Sequence, residues 1–128
     1  MNTTIRRATT CFICKDNKVL LALVKYPDMT VWMGIGGWAE IGESAEDAVI
    51  REVFEETYIE IQKSDIKKVL EFPDGNHLHV FVATNWSGEL KIKELSLKEL
   101  RWFSFDEIPW EQTFPGTKKW LPKILNQL

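Results

Sequence analysis

The sequence predicts an α+β fold of the α/β/α sandwich kind, with a mixed central sheet, on three observations. Runs rich in Ile, Thr, Cys, Val and Leu fill residues 5–25, and β-favouring runs recur after residue 65. A glycine-interrupted stretch, Gly34 to Gly42, separates the first runs from a segment with helical apolar spacing that starts at Ser44. A second helical pattern closes the chain over 117–127. Several strands with one central and one terminal helix need a sheet covered by helices.

Residues 5–14 and 18–25 read as two strands joined by the turn Lys15-Asp16-Asn17-Lys18, a hairpin. Tyr26-Pro27-Asp28 is a loop, and Val31-Trp32-Met33 a short apolar run. Gly34, Gly36, Gly37 and Gly42 break regular structure until Ser44. Ser44 serves as N-cap with Asp47 three residues on, a capping-box start with Asp in place of the usual Glu. Ala45, Glu46 and Ala48 favour helix, and Val49, Ile50, Val53 and Phe54 form its buried stripe. The helix ends near Thr57-Tyr58, where the β-rich Ile59-Glu60-Ile61 takes over. Further strands are expected at 66–72, 77–84, 89–94 and 99–105, with Pro73-Asp74-Gly75-Asn76 turning between the first two. In the terminal helix, Pro122 predicts a regular part that starts near residue 121 or a kink there.

At 128 residues and 45% hydrophobic, the chain suits one domain, 1–128, large enough to bury a core. A net charge of −3 without a basic run excludes groove binding of duplex nucleic acid by a broad basic patch; small phosphorylated ligands stay open. No stretch approaches the roughly 20 apolar residues of a membrane span, and there is no signal-peptide pattern. No membrane partner is therefore expected, and a cytoplasmic location is the default. Cys11 and Cys14 form a lone CxxC with no second Cys/His pair for zinc. On a strand their Cα atoms lie about 10 Å apart, beyond disulfide reach. Two reduced core thiols are expected.

Glu52, Glu55 and Glu56 stand at i, i+3 and i+4 and share one helix face. Like charges so placed cost a few tenths of a kcal/mol per pair, a conflict that local stability does not explain. A solvated acidic face balanced by Arg51 is the plain alternative. A divalent cation removes the conflict, because Mg²⁺ bridges carboxylates to substrate phosphates. The upstream Gly34, Gly36 and Gly37 let the backbone approach such a metal or phosphate closely.

Gly37, five residues, Glu43, seven residues, then Arg51-Glu52-Val53-Phe54-Glu55-Glu56 resembles the box of the Nudix hydrolases, Gly-x5-Glu-x7-Arg-Glu-U-x-Glu-Glu-x-Gly-U, where U is aliphatic. Ile59 fills the last aliphatic position, and Tyr58 stands in place of the final Gly. The resemblance implies a Nudix-like α/β/α sandwich and cleavage of a nucleoside diphosphate-X pyrophosphate bond. It implies Mg²⁺ as cofactor, with Mn²⁺ able to substitute. Glu52, Glu55 and Glu56 would hold the metal, with a carbonyl at Gly36 or Gly37. Arg51 and Glu43 would pair to orient helix and loop. One helix glutamate, or a carboxylate from elsewhere, would serve as general base. A further ligand would come from Glu94 or Glu99, both ahead of Trp102.

Trp32-Met33-Gly34-Ile35-Gly36-Gly37, His79-Val80-Phe81 and Arg101 to Pro109 resemble the flanks of the MutT-type members that clean up oxidised purine nucleoside triphosphates. The animal enzymes of that type read the base with an Asn after the loop Trp and an Asp pair after a Trp-Pro. Met33 and Phe114-Pro115-Gly116-Thr117 stand there instead. The expected activity is therefore conversion of a (d)NTP to (d)NMP and pyrophosphate, nucleotide-pool sanitising of an 8-oxo-dGTP-like kind, with relaxed or altered base preference. Phe114, Trp32 and Met33 are the candidate pocket residues, with Thr9 as a strand hydroxyl able to reach a base edge. Trp38, Trp110 and Trp120 are further candidates for stacking, against core packing as the plainer role. His77 and His79 alternate on one strand face, a two-His metal site or ordinary cross-strand packing. Competing activities are hydrolysis of ADP-ribose, a dinucleotide polyphosphate or a capped RNA end, and a catalytically silent nucleotide sensor. A monomer or a homodimer is expected.

Overall fold

The computed structural model describes residues 6–91 and 97–128, with side chains at 97 and 98 excepted. The order is β1 (Thr9–Lys15), β2 (Lys18–Lys25), β3 (Thr30–Met33), α1 (Ala45–Thr57), β4 (Ile66–Phe72), β5 (Leu78–Ala83), β6 (Leu97–Ser104) and α2 (Pro115–Leu125). The turn between β1 and β2 places Asp16 at φ 53° and Asn17 at φ 60°. Two successive left-handed residues match the twist of a two-residue hairpin, and Asp and Asn tolerate that region best after glycine. β1 pairs β2 antiparallel and β5 in parallel, giving a mixed six-stranded sheet in the order β3-β2-β1-β5-β4, with β6 also on β2.

Both faces of this sheet are covered, so β1 is buried along nearly its whole length rather than alternating. Cys11 and Ile13 face α1 and pack with Val49, Val53 and Phe81. Phe12 and Cys14 face α2 with Val80, Leu121 and Ile124. The expected α/β/α sandwich is thus realised. The two thiols are free and buried on opposite faces, and burial pushes the Cys14 thiol up to about 12.

Several expectations shift in detail. β1 starts at Thr9, Ala8 making only a bridge to Trp38, and residue 5 lies outside the described residues. Glu60 contributes a single bridge to Ser87 rather than a strand through 59–61. Residues 89–91 are not strand, and the rest of the expected 89–94 strand lies outside the described residues. In α1 the buried face is Ala45, Ala48, Val49, Val53 and Thr57, whereas Phe54 is exposed and touches Tyr58. α2 begins at Pro115, which occupies the first helical turn where a missing N–H costs nothing, and runs through Pro122. Burial of Leu121 and Ile124 on either side of Pro122 offsets its lost backbone bond.

Ser44 caps α1 by accepting from the Asp47 N–H at 3.0 Å. At the other end Tyr58 takes φ 68°, ψ 1°, and its N–H donates to the Phe54 carbonyl at 2.9 Å. A tyrosine therefore carries out the exit expected of glycine, at a cost of about 1 kcal/mol or more. Tyr58→Gly should be more stable than Tyr58→Ala by about 1 kcal/mol in denaturant melts, because both lose the ring but only glycine relieves the backbone. An alanine variant equal to the glycine variant would exclude that strain.

Candidate active site

The site is built where the glycine loop lies across β1. Ile35 exchanges both backbone bonds with Cys11, at 3.0 and 2.7 Å. The Gly37 carbonyl accepts from the Thr9 N–H at 2.8 Å and from the Thr9 hydroxyl at 2.8 Å. That hydroxyl is also 3.2 Å from the Gly37 N–H. The approach is too close for side chains. A Cβ on Gly36 would stand 2.1 Å from the Thr9 carbonyl oxygen, and one on Gly37 would stand 2.5 Å from the Glu52 carboxyl carbon. Absence of a side chain at Gly37 is what lets the Glu52 carboxylate lie against the loop.

Arg51 ties the loop to α1. Its guanidinium donates to both Glu43 oxygens at 2.9 Å, to Glu52 at 3.0 Å, to Glu55 at 3.2 Å and to the Trp38 carbonyl at 3.1 Å. Glu43 in turn accepts from the Glu40 N–H at 2.9 Å, and Arg7 donates to the Glu43 carbonyl. The Arg51 bond holds the Glu43 carboxyl below the usual range, and the Glu43 bond raises Arg51. A carboxylate with a depressed value contributes stability above its unfolded value, about 4.3, and that contribution fades as pH falls through the folded value. The wild type should lose stability on acidification below about pH 4, and Glu43→Gln should flatten that loss. An unchanged acid profile would remove the pair from this role.

Beside the loop opens a cavity of about 360 Å³. Gly36, Gly37 and Glu56 line it together with the aromatic and apolar Tyr26, Met33, Leu78, Phe114 and Trp120. Thr10, Asn76 and Thr117 add polar groups. The strand bridge Trp32–Thr113 and the bond from the Phe114 N–H to the Trp32 carbonyl (2.8 Å) carry Phe114 to the cavity beside Met33. A neighbouring cleft is lined by Arg6, Arg7, Trp38, Arg51 and Glu52, with the Arg6 guanidinium 4.2 Å above the Trp38 ring.

Of the residues anticipated for the substrate, Thr9, Met33 and Phe114 line the cavity, although the Thr9 hydroxyl is engaged by Gly37. Trp32 is not in that wall: it is 5% exposed and packs edge-on against Phe103 in the core. Trp120, weighed only as one of several tryptophans, is in the wall. Glu99 pairs with Leu23 across the sheet, on the α2 face, and accepts from Arg101 at 2.8 Å. Glu94 lies outside the described residues. Tyr26, Asn76 and Thr117 also line the cavity, and Arg6 and Arg7 the adjoining cleft, none of them anticipated from sequence. Only the adjacent arginines had a visible signal, and nothing local marks the others.

Residues 4–124 match the profile of the NUDIX domain. The chain is 35% identical over 122 residues to the uncharacterised Nudix hydrolase YvcI of Bacillus subtilis, covering 89% of this chain and 75% of that protein. It is 34% identical over 98 residues to the NAD-capped RNA hydrolase NudC of Haemophilus influenzae, covering 73% of this chain but only 37% of that protein. Among solved structures, the mutator protein MutT of Bacillus halodurans superposes with a TM-score of 0.72 at 30% identity, covering 94% of this chain and 82% of that one.

Proposed function

The chain belongs to the Nudix hydrolase family, and we propose that it cleaves nucleoside triphosphates to the monophosphate and pyrophosphate with Mg²⁺. The observation that carries this reading is an aromatic cavity that Glu56 and the glycine loop also line. Its 360 Å³ is at the small end for ligand sites, room for one base or nucleoside rather than two. The similarity to a MutT protein supports it.

The donors fit the cofactor. Glu52, Glu55 and Glu56 with a backbone carbonyl form an all-oxygen set, which a hard cation prefers. The Gly37 carbonyl already accepts twice from Thr9, so Gly36 is the better backbone ligand. Bound there, Mg²⁺ would offset charge building on the pyrophosphate and acidify a water. Arg51 and Glu43 hold the carboxylates against the loop, and Arg6 and Arg7 bring positive charge to the adjoining cleft for phosphate. Glu56, which lines the cavity, would take the proton from the attacking water.

With Met33 and Phe114 where hydrogen-bonding readers would discriminate, base choice is relaxed. A panel of ordinary and oxidised (d)NTPs, ADP-ribose and NAD, assayed with Mg²⁺ for phosphate and pyrophosphate, tests this. Pyrophosphate release from several nucleoside triphosphates is expected. A preference above about a hundredfold for 8-oxo-dGTP over every ordinary nucleotide would sink the relaxed specificity. The relative named as an NAD-capped RNA hydrolase favours a second reading, a dinucleotide substrate. Turnover confined to NAD would establish it in place of the first. No turnover of any compound would leave a nucleotide sensor.

A further inference from the structure

Away from the carboxylate helix, the β4–β5 hairpin gathers Glu71, His77 and His79, with one nitrogen or oxygen of each within 4.8 Å of the others. His77 Nε2 lies 2.8 Å from Glu71 Oε2, and His79 Nδ1 lies 3.6 Å from Glu71 Oε1. The Lys68 ammonium sits among them, 2.8 Å from Glu71 Oε1 and 3.3 Å from His79 Nδ1. An ammonium only donates, so His79 Nδ1 accepts and presents its lone pair to a cation. His79 is 5% exposed, and its Nε2 has no hydrogen-bond partner among the described residues.

We propose that Glu71, His77 and His79 form a second cation site, one for a borderline divalent metal of the Zn²⁺ class, with the Lys68 ammonium as its built-in competitor. Two imidazoles and one carboxylate make a mixed nitrogen and oxygen set, which suits Zn²⁺ and its neighbours rather than Mg²⁺. All three reach one point because β4 and β5 are antiparallel neighbours, with Glu71 opposite His79. β4 is the sheet edge and Lys68 is exposed, so its side chain can leave for solvent when a metal arrives. His77 follows Asn76, a cavity residue whose carbonyl accepts from the Ala8 N–H at 3.1 Å. A metal here would pin the turn that carries Asn76. The site is independent of the proposed substrate.

The test is calorimetric titration of the full chain with Zn²⁺ alone, in the wild type and in a variant with Glu52, Glu55 and Glu56 all changed to Gln. Co²⁺ absorption serves as a second readout. One equivalent of Zn²⁺ should bind in the triple variant, with Co²⁺ giving the visible bands of a low-coordinate nitrogen-ligated ion. His77→Ala or Glu71→Gln in that background should weaken binding by at least about tenfold, and Lys68→Ala should tighten it. His77 and Glu71 are not core residues, so these variants keep the fold, checked by circular dichroism. Failure of the triple variant to bind Zn²⁺, with no Co²⁺ spectrum in the wild type, overturns the site. So does an affinity indifferent to His77, Glu71 and Lys68.

Discussion

Glu56→Gln should lower kcat/KM for the preferred nucleotide by about 10²–10⁴-fold, the range for loss of a positioned proton acceptor. The same substitution removes a charge that would hold metal, so the loss should be partly offset by raised Mg²⁺ or Mn²⁺. Shape is conserved, so stability should change by no more than about 1 kcal/mol. A melting curve beside the kinetics separates lost chemistry from lost fold. Turnover within about threefold of wild type would reject α1 as the catalytic helix, since even a single general acid–base group is worth far more.

The second large effect comes from two adjacent glycines with opposite expected outcomes. In Gly36→Ala the new Cβ meets backbone: 2.1 Å from the Thr9 oxygen and 2.8 Å from the Thr10 Cα. Nothing there can rotate away, so the loop must lift from β1. Overpacking of this kind costs about 1–3 kcal/mol or more, and each buried loop bond lost adds about 1 kcal/mol. In Gly37→Ala the three atoms nearest the Cβ all belong to the Glu52 carboxylate, a side chain that can turn aside. Stability should then fall by less than about 1 kcal/mol, while misplacing Glu52 costs about a hundredfold in turnover. Denaturant melts and kinetics on the pair distinguish the two. Equal stability loss in both would mean that Glu52 is locked as firmly as backbone.

Local hydrogen bonding made much of this legible. The β1–β2 turn, the Ser44 cap and the common face of Glu52, Glu55 and Glu56 depend on residues within four positions of one another, so spacing and residue type suffice. The pairing of Glu43 with Arg51 could be expected only through resemblance. Its further reach to Glu52, Glu55 and the Trp38 carbonyl needed the loop's position on α1.

What the sequence determined by itself was the α/β/α architecture and the carboxylate helix beside its glycine loop, because each is encoded in short-range pattern. What only the tertiary structure decided was direction. Register on β2 turns Glu99 to the α2 face, and burial against Phe103 keeps Trp32 in the core while Trp120 reaches the cavity. Chain reversal brings Glu71 to His77 and His79. Side-chain direction on a strand changes with every residue, so it is fixed by pairing between distant segments and not by any local preference.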